Sequence, residues 1–271
     1  MGKEEVLAVT KAVNAVLGRP VLALLALLHI HPENTQYPIP NYIAMEFLVF
    51  LIAAIFFLWL KPRIRADRPG ATQQIMEFLL VNPMGVGIKD LIDDIVGHDS
   101  DRHIPMMGTI ALFIFLSNML AIVPGLMSPT AEKTVPLGCA VVVFIYYNRF
   151  GFGKHGVGGY LKTLVGPVWW LGVVMVPVET FSHFARLLSL TVRLWANMMV
   201  SELIFVSFLG ISMALFTFLG RLNAIGYASA VVPVGIPLAL TFFHIFEAVL
   251  QAFIFTILSI VYLGLATAEE H

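Results

Sequence analysis

Apolar runs separated by short polar breaks set the pattern of this chain. The clearest run, residues 42–60 (YIAMEFLVFLIAAIFFLWL), stops abruptly at KPRIRADR. A run of some 18 or more apolar residues crosses a ~30 Å hydrocarbon core as a helix, so this is the first expected span. Further spans are expected at 105–126 and 130–148, joined by the polar turn SPTAEK. Two later runs, 167–220 and 227–266, are too long for one perpendicular crossing. The first of them would measure roughly 80 Å as a straight helix. Each is either two crossings or one long, tilted and bent helix, and a turn that left Arg193 in lipid would be costly. Pro233 and Pro237 are kink sites in the second run.

Between the first two spans, Ile88, Leu91, Ile92, Ile95 and Val96 recur at helical spacing while Lys89, Asp90, Asp93 and Asp94 take the opposite face. Residues 71–97 are therefore expected to contain an interfacial amphipathic helix rather than a span. Residues 20–30 (PVLALLALLHI) are apolar but too short to cross, and they follow Glu4 and Glu5 with no clear small-residue cleavage site, which disfavours a signal peptide. Residues 149–166, which hold most of NRFGFGKHGVGGYLKT, are expected to be a flexible connector, since their glycines do not match phosphate-loop spacing. The expected organisation is thus an outer N-terminal segment (1–41), three spans with the amphipathic helix (42–148), a cytoplasmic loop (149–166) and a long helix pair (167–271). The fold class is an all-α multi-pass membrane protein with about five crossing helices, and no internal repeat is evident.

Composition agrees. Hydrophobic residues make up 59% of the 271 and charged ones only 12%, with mean hydropathy +0.88, whereas a soluble domain carries about 25% charged residues. A net charge of −1 gives no global field for nucleic acid, which is dropped as a partner. The single Cys139 excludes a disulfide framework. Of the 16 Lys and Arg, nine fall in segments assigned inside, five outside, and two, Arg186 and Arg193, lie within apolar sequence. That bias places the N-terminus outside for the first three spans; an inside C-terminus follows only from counting spans.

Ionisable residues inside membrane helices cost at least ~2.5 kcal/mol each on insertion scales and are functional candidates by default. On the first long run Glu179, His183 and Arg186 stand at i, i+4 and i+7, with Arg193 seven residues further and Asn197 one turn beyond it. At ~100° per residue these share one stripe, whereas Glu202 lies ~180° around the helix and ~13 Å along it from Arg193. On the last run His244, Glu247 and Gln251 make a second polar face. Each has an ordinary alternative. Arg186 can be a structural partner of Glu179 or His183, His244 and Gln251 can hydrogen-bond a neighbouring helix, Glu46 reads as an interfacial acid, and Ser117 and Asn118 read as packing contacts. His29, His31, His98, His103 and His155 share no ligand spacing, so no metal is expected. Arg193 differs because guanidinium does not deprotonate. A permanent cation within LTVRLWANMM needs an anionic partner, and Glu202 points away, so the counter-charge is sought on another chain.

Two blocks carry a family likeness: RLWANMMVSELIF at 193–205 and LQAFIFTILSIVYL at 250–263, before a terminal EEH. They resemble subunit a of the F-type ATP synthase membrane sector, over most of the chain from about residue 40. The resemblance implies a stationary, non-catalytic ion-channel subunit, without a cofactor, in a bacterial inner membrane. The implied partners are the rotor c-ring, the peripheral-stalk b subunits, lipid and the transported proton. It further implies that Arg193 faces the c-ring carboxylate with Asn197, Glu202 and Gln251 near it. Glu202 and His244 would line the outer half-channel, and Glu179 with His183 the inner one. Where the family often has Phe-Gly after Arg-Leu, this chain has Trp195 and Ala196. Glu247 matches no fixed family position. The rival reading is a proton-coupled secondary transporter, which would usually show a repeat and paired interrupted helices. An intramembrane hydrolase would need HExxH or GxSxG patterns, which are absent.

Overall fold

In the computed structural model of the chain, the described residues are 6–29, 32, 34–64, 69–81, 87–97, 100–123, 125–165, 172–220 and 231–268. Among them every regular element is helical: α1 (Ala8–Leu27), α2 (Asn41–Leu60), α3 (Ala71–Leu80), α4 (Ile88–Val96), α5 (Ile104–Leu120), α6 (Thr134–Val165), α7 (Gly172–Gly220) and α8 (Val231–Thr267). Short 3-10 turns occur at Lys61–Arg63, Ser100–Arg102 and Pro129–Ala131. Helices satisfy every interior N–H and C=O within their own segment, which is what hydrocarbon demands. The outer faces are correspondingly greasy, with Val173 84%, Phe242 75% and Leu238 71% exposed.

Among the described residues, five helices are long and apolar enough to cross a membrane: Ala8–Leu27, Asn41–Arg63, Thr134–Gly156, Gly172–Phe218 and Gly235–Thr267. The number matches expectation but the set does not. Residues 20–30 were too short on their own, yet the helix begins at Ala8 and reaches spanning length by recruiting the less apolar segment before Pro20. The expected span 105–126 is shorter, because α5 ends at Leu120 after 17 residues, about 25 Å of helix. The choice left open for the first long run is decided for residues 172–220, which form one continuous 49-residue helix. Its expected start at Pro167 lies outside the described residues, as do positions 227–230 of the last run. Pro237 is accommodated inside α8.

The connector reading of 149–166 is corrected: α6 continues to Val165, with one non-helical residue at Gly156 (φ 69). Gly151 there serves packing. A Cβ on Gly151 would come within 2.5 Å of the Tyr160 ring, and the Tyr160 hydroxyl donates to Asn148 Oδ1 at 2.9 Å, so the chain folds back onto its own helix. The amphipathic segment 71–97 is two helices, α3 and α4, with 82–86 outside the described residues. Ile92 of α4 is fully buried, while Lys89 pairs with Asp101 at 3.0 Å, a hydrogen bond that raises the Lys89 pKa above its ordinary value.

The chain divides into two compact units, residues 1–56, 115–132 and 198–249 in one and 57–114, 133–197 and 250–271 in the other. In the first, Asn14 clasps the segment before α2, donating to Ile39 O and accepting from Ile39 N–H, both at 3.0 Å. Ala44, Met45 and Val49 are its buried apolar core residues on α2. In the second, Ile92, Met107, Ile114, Tyr147, Leu194, Phe255 and Leu263 are buried, and His103 Nδ1 meets the Tyr146 hydroxyl at 2.9 Å.

Candidate functional site

In the second unit, α7 presents Arg193 half-buried within apolar sequence. Among the described residues it makes no ion pair. One turn on, Asn197 donates its amide to Gln251 Oε1 on α8 at 3.0 Å. Gln251 is 2% exposed, and its own amide nitrogen, Nε2, is buried without a partner. A buried amide left half-satisfied costs about 1–3 kcal/mol.

The same unit holds the stripe expected on α7. Arg186 Nη2 lies 3.6 Å from Glu179 Oε1, and His183 Nε2 lies 3.9 Å from the same oxygen. The helical spacing therefore brings all three together, as i, i+4 and i+7 require. Sequence reasoning missed the tyrosines around them. Tyr147, 1% exposed, sets its hydroxyl 3.2 Å from His183 Nδ1 with its ring roughly parallel to the imidazole. The Tyr160 ring also faces His183, and Tyr262 lies 5.6 Å beneath the Arg186 guanidinium. The available signal was FIYYNRF, where hydroxyl-bearing rings interrupt an otherwise apolar span.

The first unit holds the other polar group. Glu202 has a buried oxygen, Oε2, without a partner, and the backbone amide of Ser128 faces its carboxyl. His244, 3% exposed, bonds Ser201 Oγ through Nδ1 at 2.9 Å; its Nε2 is unpartnered, with the Asn118 backbone facing the ring. Glu202 and His244 form no ion pair among the described residues, so a direct shared proton is not their resting arrangement. The turn after α5 is tied to Ser117 and Asn118. Ser128 Oγ donates to Ser117 O at 3.0 Å, and Thr130 Oγ1 donates to Asn118 Oδ1 at 2.5 Å. Yet Ser117 Oγ and Asn118 Nδ2 also remain buried and unpartnered. A cavity of about 170 Å³ opens between Ser201, Phe205, Leu240, Phe243, His244 and Glu247, room for more than one water. Glu247, which the sequence could not place, lines it with His244.

The sequence model of the family described as ATP synthase A chain matches residues 43–264. The chain belongs to the ATP synthase A chain family. It is 35% identical over 262 residues to the ATP synthase subunit a of Koribacter versatilis, covering 97% of both chains. With that of Solibacter usitatus it shares 35% over 249 residues, 92% of this chain and 95% of the relative. With that of Sulfurimonas denitrificans it shares 39% over 205 residues, 75% of this chain and 80% of the relative. As a member of the family it is a multi-pass membrane protein of the ATP synthase complex, the stationary subunit that conducts protons, and the secondary-transporter reading is set aside.

Proposed function

We propose that the two polar groups are the two half-channels and that Arg193 is the fixed charge dividing them. The observation that carries this reading is Arg193 itself, a permanent cation half-buried in an apolar helix with no ion pair among the described residues. A buried charge needs a counter-charge, and the rotor c-ring carboxylate is the anion that supplies it. Glu202, His244 and Glu247 with their cavity form the outer half-channel, and Glu179 with His183 the inner one; Asn197 and Gln251 border Arg193. A proton arriving by one path neutralises a rotor carboxylate, which then rotates into lipid and releases its proton to the other path. Arg193 draws each returning carboxylate into its charged form and repels a proton crossing directly.

The reading places the chain in a bacterial inner membrane, against the c-ring and the peripheral-stalk b subunits, with the N-terminus outside and the C-terminus inside. α7 and α8, far longer than the hydrocarbon is thick, lie tilted along the rotor. α1 stays at the outer face, because exposed Lys11 and Arg19 along it make a lipid crossing expensive.

The test is proton permeability of membranes stripped of the catalytic head, at matched subunit levels. Arg193→Ala should abolish coupled synthesis and make the sector leaky. Arg193→Lys should also couple poorly, lacking the planar fork, but leak less. Tight membranes from an assembled Arg193→Ala sector would defeat the barrier role, and normal synthesis would defeat the whole reading.

A further inference from the structure

The inner group contains a feature that the half-channel reading does not use. Around His183, the titratable and charged side chains are Glu179 and Arg186 on α7 and Tyr147 and Tyr160 on α6, with Tyr262 of α8 behind Arg186. The two ring nitrogens of His183 face different partners. Nδ1 meets the Tyr147 hydroxyl at 3.2 Å, and Nε2 faces Glu179 Oε1 at 3.9 Å. The hydrogen bond made by one imidazole nitrogen decides which nitrogen carries the proton.

We propose that Tyr147 is a positioning residue of the inner proton path, its hydroxyl donating to Nδ1 of His183 and so holding the imidazole in the tautomer whose Nε2–H faces Glu179. This rests on the half-channel reading above. A phenol donates more readily than it accepts from a neutral imidazole, and the Tyr147 ring is held in place, being 1% exposed and roughly parallel to His183. The tautomer has a chemical consequence. Neutral His183 then has its one lone pair engaged by Tyr147 and its N–H turned to the carboxylate, and Arg186 is permanently protonated. Glu179 is left as the one base of this stripe, so a proton reaching it is not diverted onto the neighbouring ring.

The experiment uses the whole complex in lipid, with ¹⁵N-labelled histidine. The signals of His183 are identified by their loss in His183→Gln. Tyr147→Phe keeps the buried ring and removes only the hydroxyl, and native gels establish that the complex still assembles. The expected result is a shift of the His183 tautomer ratio toward Nδ1–H by about fivefold, what one neutral hydrogen bond is worth. A severalfold loss of ATP-driven proton pumping should accompany it and be absent when Tyr147→Phe is made in the His183→Gln background. An unchanged tautomer ratio overturns the proposal, as does an equal pumping loss in that background, which would mark a packing role. Failure of the underlying reading shows separately: His183→Gln alone would then leave pumping normal, and Arg193→Ala would stay coupled.

Discussion

Gln251→Leu sets stability against function at one position. The substitution removes the hydrogen bond that Gln251 Oε1 accepts from Asn197 at 3.0 Å, worth about 0.5–1.5 kcal/mol. Asn197 is exposed beside Arg193, on the face that the half-channel reading gives to the proton path, so on that reading water in the path takes up its freed amide. The same substitution eliminates the buried, unpartnered Nε2, relieving about 1–3 kcal/mol. Leucine has nearly the volume of glutamine, and a volume-conserving swap adds less than about 1.5 kcal/mol. The terms nearly cancel, so the variant should reach wild-type levels in membranes and keep the complex as heat-stable as before. If Nε2 exists to meet the rotor or the proton beside Arg193, coupled pumping should nevertheless fall at least tenfold. Subunit amount is read by immunoblot, complex integrity by thermal dissociation on native gels, and pumping by quenching of a pH-sensitive dye in inverted vesicles. Wild-type pumping by Gln251→Leu would refute a functional role for the amide, and loss of the assembled complex would refute the energy accounting.

Three other outcomes are expected. Glu202→Leu should slow proton-driven synthesis strongly and Glu202→Asp mildly, and adding Glu247→Gln to Glu202→Leu should remove any residual flux; normal synthesis in Glu202→Leu would exclude that residue from the outer path. Cysteines at Ser100 and Ala268 should react with impermeant reagents from the cytoplasmic side and one at Lys11 from outside, whereas labelling of Ala268→Cys from outside would break the single-helix assignment of α7 or α8. Gly264→Ala should loosen α4 from α8, since the added Cβ would stand 2.6 Å from Ile95 Cγ2 and 2.9 Å from the Ile95 carbonyl oxygen. Overpacking of that kind costs about 1–3 kcal/mol, read as faster proteolysis within 88–96; unchanged protection would show that α4 yields freely.

The helix class, the first span and the stripe Glu179, His183 and Arg186 were legible because each rests on a periodicity local to one helix. What the sequence hid depends on chain segments distant in sequence. Tyr147 reaches His183 across 36 positions and Asn197 reaches Gln251 across 54; only the fold brings them together. The boundary at Ala8 was hidden because Lys11, Asn14 and Arg19 dilute the apolar signal, while the backbone still closes its own hydrogen bonds. The glycine-rich stretch after Asn148 misled for the opposite reason. Composition there suggested freedom, but glycine also lets a ring approach the backbone, and Tyr160 uses Gly151 in that way. Glu247 was illegible until the cavity it shares with His244 gave it a place.

Five of the six buried side-chain atoms without partners among the described residues sit in one unit's polar group or beside Arg193's stripe: Ser117 Oγ, Asn118 Nδ2, Glu202 Oε2, His244 Nε2 and Gln251 Nε2. Native interiors leave few such atoms unsatisfied, and each costs about 1–3 kcal/mol. Chance packing would scatter them over the helices. Their concentration on residues that can donate, accept or exchange a proton is what the proposed half-channel reading expects. A group already locked into a protein hydrogen bond must break it before it can hand on a proton, while an unpartnered one has no such bond to break. The cavity beside His244 leaves space for a water. Stability is for the same reason the wrong guide to these positions. Apolar replacement there trades the hydrogen bonds that the partnered atoms make for the cost that the unpartnered ones carry, so a complex can keep its stability and still lose its proton flux.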